Sequence, residues 1–149
     1  METQQKNIIK TVLIIVALMA SILLLFLNKI TTARYLSDVE LKINGLILLD
    51  PPQTMEMTQH NAKWVLVANT QEQKKLLDEF YPSLRKSAKA ITDITLAPIS
   101  LQSQINKQLP EYSRYISVIN TDKKLMAYFK PPFDQHKMLL TYSSIVAHR

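Results

Sequence analysis

Residues 115–134 read YISVINTDKKLMAYFKPPFD. Two apolar runs, 115–119 and 125–129, flank the polar turn Asn120-Thr121-Asp122-Lys123-Lys124, which is the pattern of a β-hairpin. Pro131 and Pro132 offer no amide donor and stop the second strand. Asp134 then supplies the cap for a last helix whose apolar face is Met138, Leu139, Tyr142, Ile145 and Val146. A hairpin closed by a terminal helix belongs to a layered α/β domain.

Working upstream, short elements alternate. Residues 101–109 hold a short helix closed by Pro110, and residues 91–96 alternate as a half-exposed strand would. Thr70-Gln71-Glu72-Gln73 has the form of a capping box and opens a helix with Leu76, Leu77, Phe80 and Leu84 on one face, split or kinked by Pro82. Residues 63–68, KWVLVA, read as a buried strand. Residues 46–49 form another apolar run, expected to end at Asp50-Pro51-Pro52. Ser37-Asp38-Val39-Glu40 is a second capping box, and Gly45 stands where a left-handed helix end is wanted, predicting a helix over 38–44.

Residues 8–27, IIKTVLIIVALMASILLLFL, carry one charge, Lys10, near the edge. Twenty helical residues at ~1.5 Å each match the ~30 Å hydrocarbon core, so one transmembrane helix is expected. A cleaved signal is the competing reading, with Thr31-Thr32-Ala33 as its small-residue site, although the uncharged run from Thr11 onward exceeds the roughly 7–15 residues of a signal core. Lys6 and Lys10 on one side balance Lys29 and Arg34 on the other, so charge does not orient the span. The expected organisation is a tail over 1–7, the span over 8–27, a juxtamembrane linker over 28–35 and one domain over 36–149. Setting aside Lys6, Lys10 and Glu2, sixteen Lys and Arg stand against eleven Asp and Glu. These charges are scattered and lack the aromatic interleaving of a single-stranded nucleic-acid groove, so no nucleic-acid partner is expected. The lipid bilayer is the expected neighbour, with weak attraction to anionic headgroups.

Three stretches together resemble the Sco/SenC family, membrane-anchored copper chaperones of cytochrome c oxidase assembly with a thioredoxin-like fold. They are Leu36-Ser37-Asp38-Val39-Glu40-Leu41 with Asn44-Gly45 and Leu49-Asp50-Pro51-Pro52; Lys63-Trp64-Val65-Leu66-Val67; and the hairpin through Asp122, Pro131, Pro132, Phe133 and Asp134. The resemblance implies an α/β fold, with the N-terminal transmembrane helix followed by a reduced thioredoxin-like domain that ends in a β-hairpin and helix. It also implies an inner-membrane location, a periplasmic C-terminal domain and a protein partner in respiratory oxidase assembly. The family's copper is held by a Cys-x-x-x-Cys motif after the Lys-Trp strand and by a histidine before the hairpin. This chain has no cysteine, and reads Val67-Ala68-Asn69-Thr70-Gln71-Glu72-Gln73 in the first place and Glu111-Tyr112-Ser113 in the second. Tyr112 thus stands at the ligand position, where a neutral phenol is a poor copper ligand.

Thiol exchange requires a thiolate and is excluded. Met55, Met57 and His60 form a Met-x-Met-x-x-His cluster that Cu(I) would accept chemically; the alternative is a loop that points both methionines into the core. His136 and His148 are expected at the surface, at the two ends of the last helix, and Met19 lies within the apolar span. With Gly45 as the single glycine, no glycine-rich phosphate cradle can be built. The carboxylates form no cluster and no serine has an elbow motif. The expectation is an accessory protein that acts by binding, with no catalysis and no cofactor. A copper chaperone using Met55, Met57 and His60, or a small structural subunit of another envelope complex, are the rival readings.

Overall fold

The computed structural model describes residues 1–31, 33–57 and 61–149, without the side chains of 26–31. The chain divides into two compact units, Met1–Ala33 and Arg34–Arg149.

The first unit is one helix, α1 (Glu2–Thr31). It continues on both sides of the apolar run over 8–27, and Glu2–Leu25 is long and apolar enough to cross a membrane, its most apolar 18 residues having a mean hydropathy of 2.8. Thr11 and Ser21 return their hydroxyls to the carbonyls of Asn7 and Ala17, each at 2.9 Å, so these polar groups are satisfied inside the helix. Thr32 of the candidate cleavage site lies outside the described residues.

The second unit is a mixed α/β domain. Its elements are α2 (Asp38–Ile43), β1 (Leu46–Thr54), β2 (Trp64–Ala68), α3 (Gln71–Phe80), α4 (Lys86–Ala90), β3 (Thr92–Leu96), α5 (Ile99–Gln108), β4 (Ile116–Ile119), β5 (Lys124–Phe129) and α6 (Gln135–His148). The sheet order is β1-β5-β4-β2-β3. β2 and β3 are parallel, joined through α3 and α4, whereas β4 pairs antiparallel with β2 and with β5, and β1 antiparallel with β5.

Side chains of a strand alternate between faces, and here both faces of the sheet are covered. Trp64, Leu66 and Ala68 of β2 enter one core with Leu77 and Phe80 of α3 and Met138, Tyr142 and Ile145 of α6. Val65 and Val67 enter the other, with Leu101 and Ile105 of α5. Every residue of β2 is therefore buried, which is why this stretch is a continuous apolar run. In the hairpin the register slips between Val118 and Ile119, leaving Met126 as an extra residue. That bulge sends Ala127 and Phe129 to the first core but Leu125 to the second.

The local end signals act as the sequence predicts at three helices. Ser37 and Glu40 close the capping box of α2, at 3.3 and 2.9 Å, and Gly45 follows the helix at φ +90°. Asp134 caps α6 through the Lys137 amide at 3.0 Å. After α3 the chain passes through a 3₁₀ turn containing Pro82, as a proline in that register requires.

Two expectations are corrected. β1 does not stop at Leu49 but runs on to Thr54. Leu48 pairs with Ala127 and Gln53 with Leu125, so residues 49–52 bulge out opposite Met126. β1 is an edge strand, and Pro51 and Pro52 lie in that bulge, where no ladder donor is missed. The second box, at Thr70, is half formed: the Thr70 hydroxyl accepts from the Gln73 amide at 3.2 Å, but the Gln73 side chain does not return to Thr70.

Candidate functional site

The end of β2 and the first turn of α3 bring Asn69 and Gln73 to the loop that precedes β4. Gln73 Oε1 accepts from the Asn69 amide at 2.7 Å, and its Nε2 donates to the Ser113 carbonyl at 2.8 Å. Asn69 Nδ2 donates to the carbonyls of Tyr112 and Tyr115, at 3.2 and 2.8 Å. Both side chains are buried, at 9% and 6% exposure, and Asn69 Oδ1 has no hydrogen-bond partner among the described residues. The loop itself turns through Glu111 at φ +61°, followed by a 3₁₀ turn over Tyr112–Arg114.

The two stretches that the Sco/SenC resemblance assigns to copper ligands are thus neighbours in space. Asn69 precedes the Thr70 cap of α3 and Gln73 lies in its first turn, and the hydrogen bond between them holds both at the same place. In place of thiolates and an imidazole, two carboxamides are fastened to main-chain carbonyls. Tyr112 is half-buried; its hydroxyl donates to Gln102 Oε1 at 3.3 Å, and its ring packs beside the second core. None of these groups is a soft donor. An open cleft of about 330 Å³ lies beside the carboxamides, with Thr70, Glu72, Ser113, Arg114, Pro131 and Phe133 in its wall. Arg114 pairs with Glu111 at 3.2 Å on the surface.

Met55 and Met57 of the Met-x-Met-x-x-His cluster stand in different surroundings. Met55 is 3% exposed and sits in the second core with Val65, Leu101 and Leu125. Met57 is half-buried against that core and lines a separate cleft with Glu56, Asn61 and Asp93. His60 lies outside the described residues. Among the described residues no group of three His, Cys, Asp or Glu side chains is placed to hold a metal. His136 and His148 are exposed, and His148 packs edge-on against Tyr35 at 5.6 Å.

The remaining family-like residues lie at the strand ends, in the first core and around the hairpin. Lys63 pairs with Asp93 at 3.6 Å where β2 and β3 begin. Trp64 is buried with its ring edge-on to Tyr142, centroids 6.4 Å apart. Asp122 is exposed in the hairpin turn, its amide donating to Asn120 Oδ1 at 3.0 Å. Pro131 and Pro132 follow β5 at the surface, Pro131 in the cleft wall. Asn69 and Gln73 were not singled out as a pair by sequence; two amides at i and i+4 directly after a fully apolar strand are the signal that marks them. No family model matches the chain, and no curated protein or solved structure is significantly similar to it.

Proposed function

We propose that this chain is a membrane-anchored accessory protein, similar to the Sco/SenC proteins, that serves cytochrome c oxidase assembly by binding a protein partner, without redox or copper chemistry. In this reading α1 is retained in the inner membrane, and the domain is a reduced thioredoxin-like fold in the periplasm. One observation carries it: the stretches 67–73 and 111–113, where the resemblance puts ligands, meet at the hydrogen bonds from Asn69 to the Tyr112 carbonyl and from Gln73 to the Ser113 carbonyl. The β-α-β unit followed by an antiparallel hairpin and a terminal helix is the layout that a thioredoxin-like domain calls for, and it supports the same reading.

The reading is tested by deleting the chain and measuring haem-copper oxidase activity in membranes, with and without added copper. The expected result is a loss that copper does not restore. Rescue by copper would instead favour a chaperone that delivers the ion, and unchanged activity would remove the proposed role.

A further inference from the structure

α2 carries apolar residues on two opposite sides. Leu41 is fully buried and fixes the inward face. Val39 and Ile43, each two residues from it and four from one another, share the opposite face of a 3.6-residue helix, at 67% and 73% exposure. Tyr35, 56% exposed, lies in the non-helical segment just before α2. A surface helix ordinarily presents polar residues outward, so an apolar outer face marks a surface that is covered in use.

The flanks of this face are suited to lipid headgroups. Asp38 and Glu40, the two carboxylates of α2, are both paired, with Arg149 at 2.6 Å and Arg34 at 3.0 Å. Lys42 adds a further cation beside Ile43. Tyr35 is held by the Arg149 guanidinium 5.5 Å over its ring and by the edge-on contact with His148. Arg149 also donates to the Leu36 carbonyl at 3.3 Å, so the segment is fastened to the end of α6. A fixed aromatic ring, a small apolar face and basic neighbours are the components of an interfacial anchor.

The occupant is indicated by the chain itself. Six residues, 32–37, separate the end of α1 from the start of α2, and six residues reach at most about 20 Å. The short connection keeps the domain tethered to any bilayer that α1 spans, whereas another partner would have to be recruited. We propose that the outer face of α2, formed by Val39 and Ile43, together with Tyr35 of the segment before it, docks into the headgroup region of the membrane that α1 spans. The inference rests on α1 as a retained anchor and does not depend on the family resemblance.

The absence of cysteine makes the test direct. Single variants Val39→Cys, Ile43→Cys, Ser103→Cys and Val16→Cys of the full chain, nitroxide-labelled, are reconstituted into vesicles of phosphatidylcholine with phosphatidylglycerol. Ser103 is an exposed position on α5, against the opposite face of the sheet from α3 and α6, and Val16 lies within α1. Collision with oxygen relative to a water-soluble nickel chelate should be severalfold higher at 39 and 43 than at 103, and highest at 16. Water-like ratios at 39 and 43 with a lipid-like ratio at 16 would overturn the docking alone, leaving the anchor. A water-like ratio at 16 would overturn both. Spin–spin broadening at 39 and 43, with low oxygen collision, would identify a second copy of the chain as the occupant and equally overturn the proposal.

Discussion

The backbone amide of Asn69 donates to Oε1 of Gln73 at 2.7 Å, while Nε2 of the same side chain donates to the Ser113 carbonyl at 2.8 Å. Gln73 is thus used at both ends, as acceptor for the strand end and as donor to the loop. The Asn69 amide is buried and has no ready access to water, whereas Ser113 is exposed.

Gln73→Ala should therefore lower stability by about 1–3 kcal/mol, the cost of leaving a buried polar group unpaired. Thermal unfolding of the full chain in detergent measures it. Gln73→Glu keeps an acceptor for Asn69 but sets a carboxylate against the Ser113 carbonyl, and is expected to be no more stable than the alanine variant. A glutamate variant as stable as the parent would show that the contact with Ser113 contributes nothing.

Tyr142 predicts an alkaline limit. Its hydroxyl and that of Thr92 are 2.7 Å apart in the first core, where Trp64 and Phe80 meet the ring edge-on. Burial raises the phenol well above its ordinary value, outweighing the opposing effect of the hydrogen bond from Thr92. The folded state therefore holds this proton more tightly than the unfolded state. Its contribution is complete below about pH 10, the unfolded value, and is lost as pH rises toward the folded value. The slope from this one group approaches about 1.4 kcal/mol per pH unit above that point. Unfolding midpoints taken from pH 7 to 11 should fall less steeply in Tyr142→Phe, which is also less stable at pH 7 because Thr92 Oγ1 loses its partner. Tyr128, raised in the same direction by burial, leaves a residual decline. Parallel curves for parent and variant would contradict the assignment.

Met55 separates packing from ion binding. A buried methionine truncated to alanine typically costs about 2–5 kcal/mol, while a volume-conserving change costs less than about 1.5 kcal/mol. Met55→Ala should thus be strongly destabilised and Met55→Leu nearly normal. Cu(I) added to the parent chain should leave its unfolding midpoint unchanged. A copper-dependent rise that Met55→Leu abolishes would restore the ion-binding reading.

What was legible in the sequence was local. The capping box at Ser37 and Glu40, Gly45 at the left-handed position, the break at Pro82, the hairpin and the apolar face of α6 each depend on residues within a turn or two of one another. The chemistry they decide is complete within that span. The continuous apolar run of β2 likewise announced a strand covered on both faces. The absence of cysteine settled, without any structure, that no thiolate chemistry occurs.

Tertiary structure decided what depends on neighbours distant in the chain. Pro51 and Pro52 lie within β1 because that strand is at an edge and its register slips, and its place is set by pairing with residues seventy or more positions away. The Gln73 side chain does not return to the Thr70 amide because the Asn69 amide and the Ser113 carbonyl offer it two partners instead of one. The meeting of residues 69–73 with 112–115 follows from β4 lying beside β2, which no local signal encodes. Whether Leu41, or Val39 and Ile43, would be the inner face of α2 was equally open in the sequence, since all three are apolar. The choice was made by which side of so short a helix could reach the sheet, and it leaves the other two facing outward.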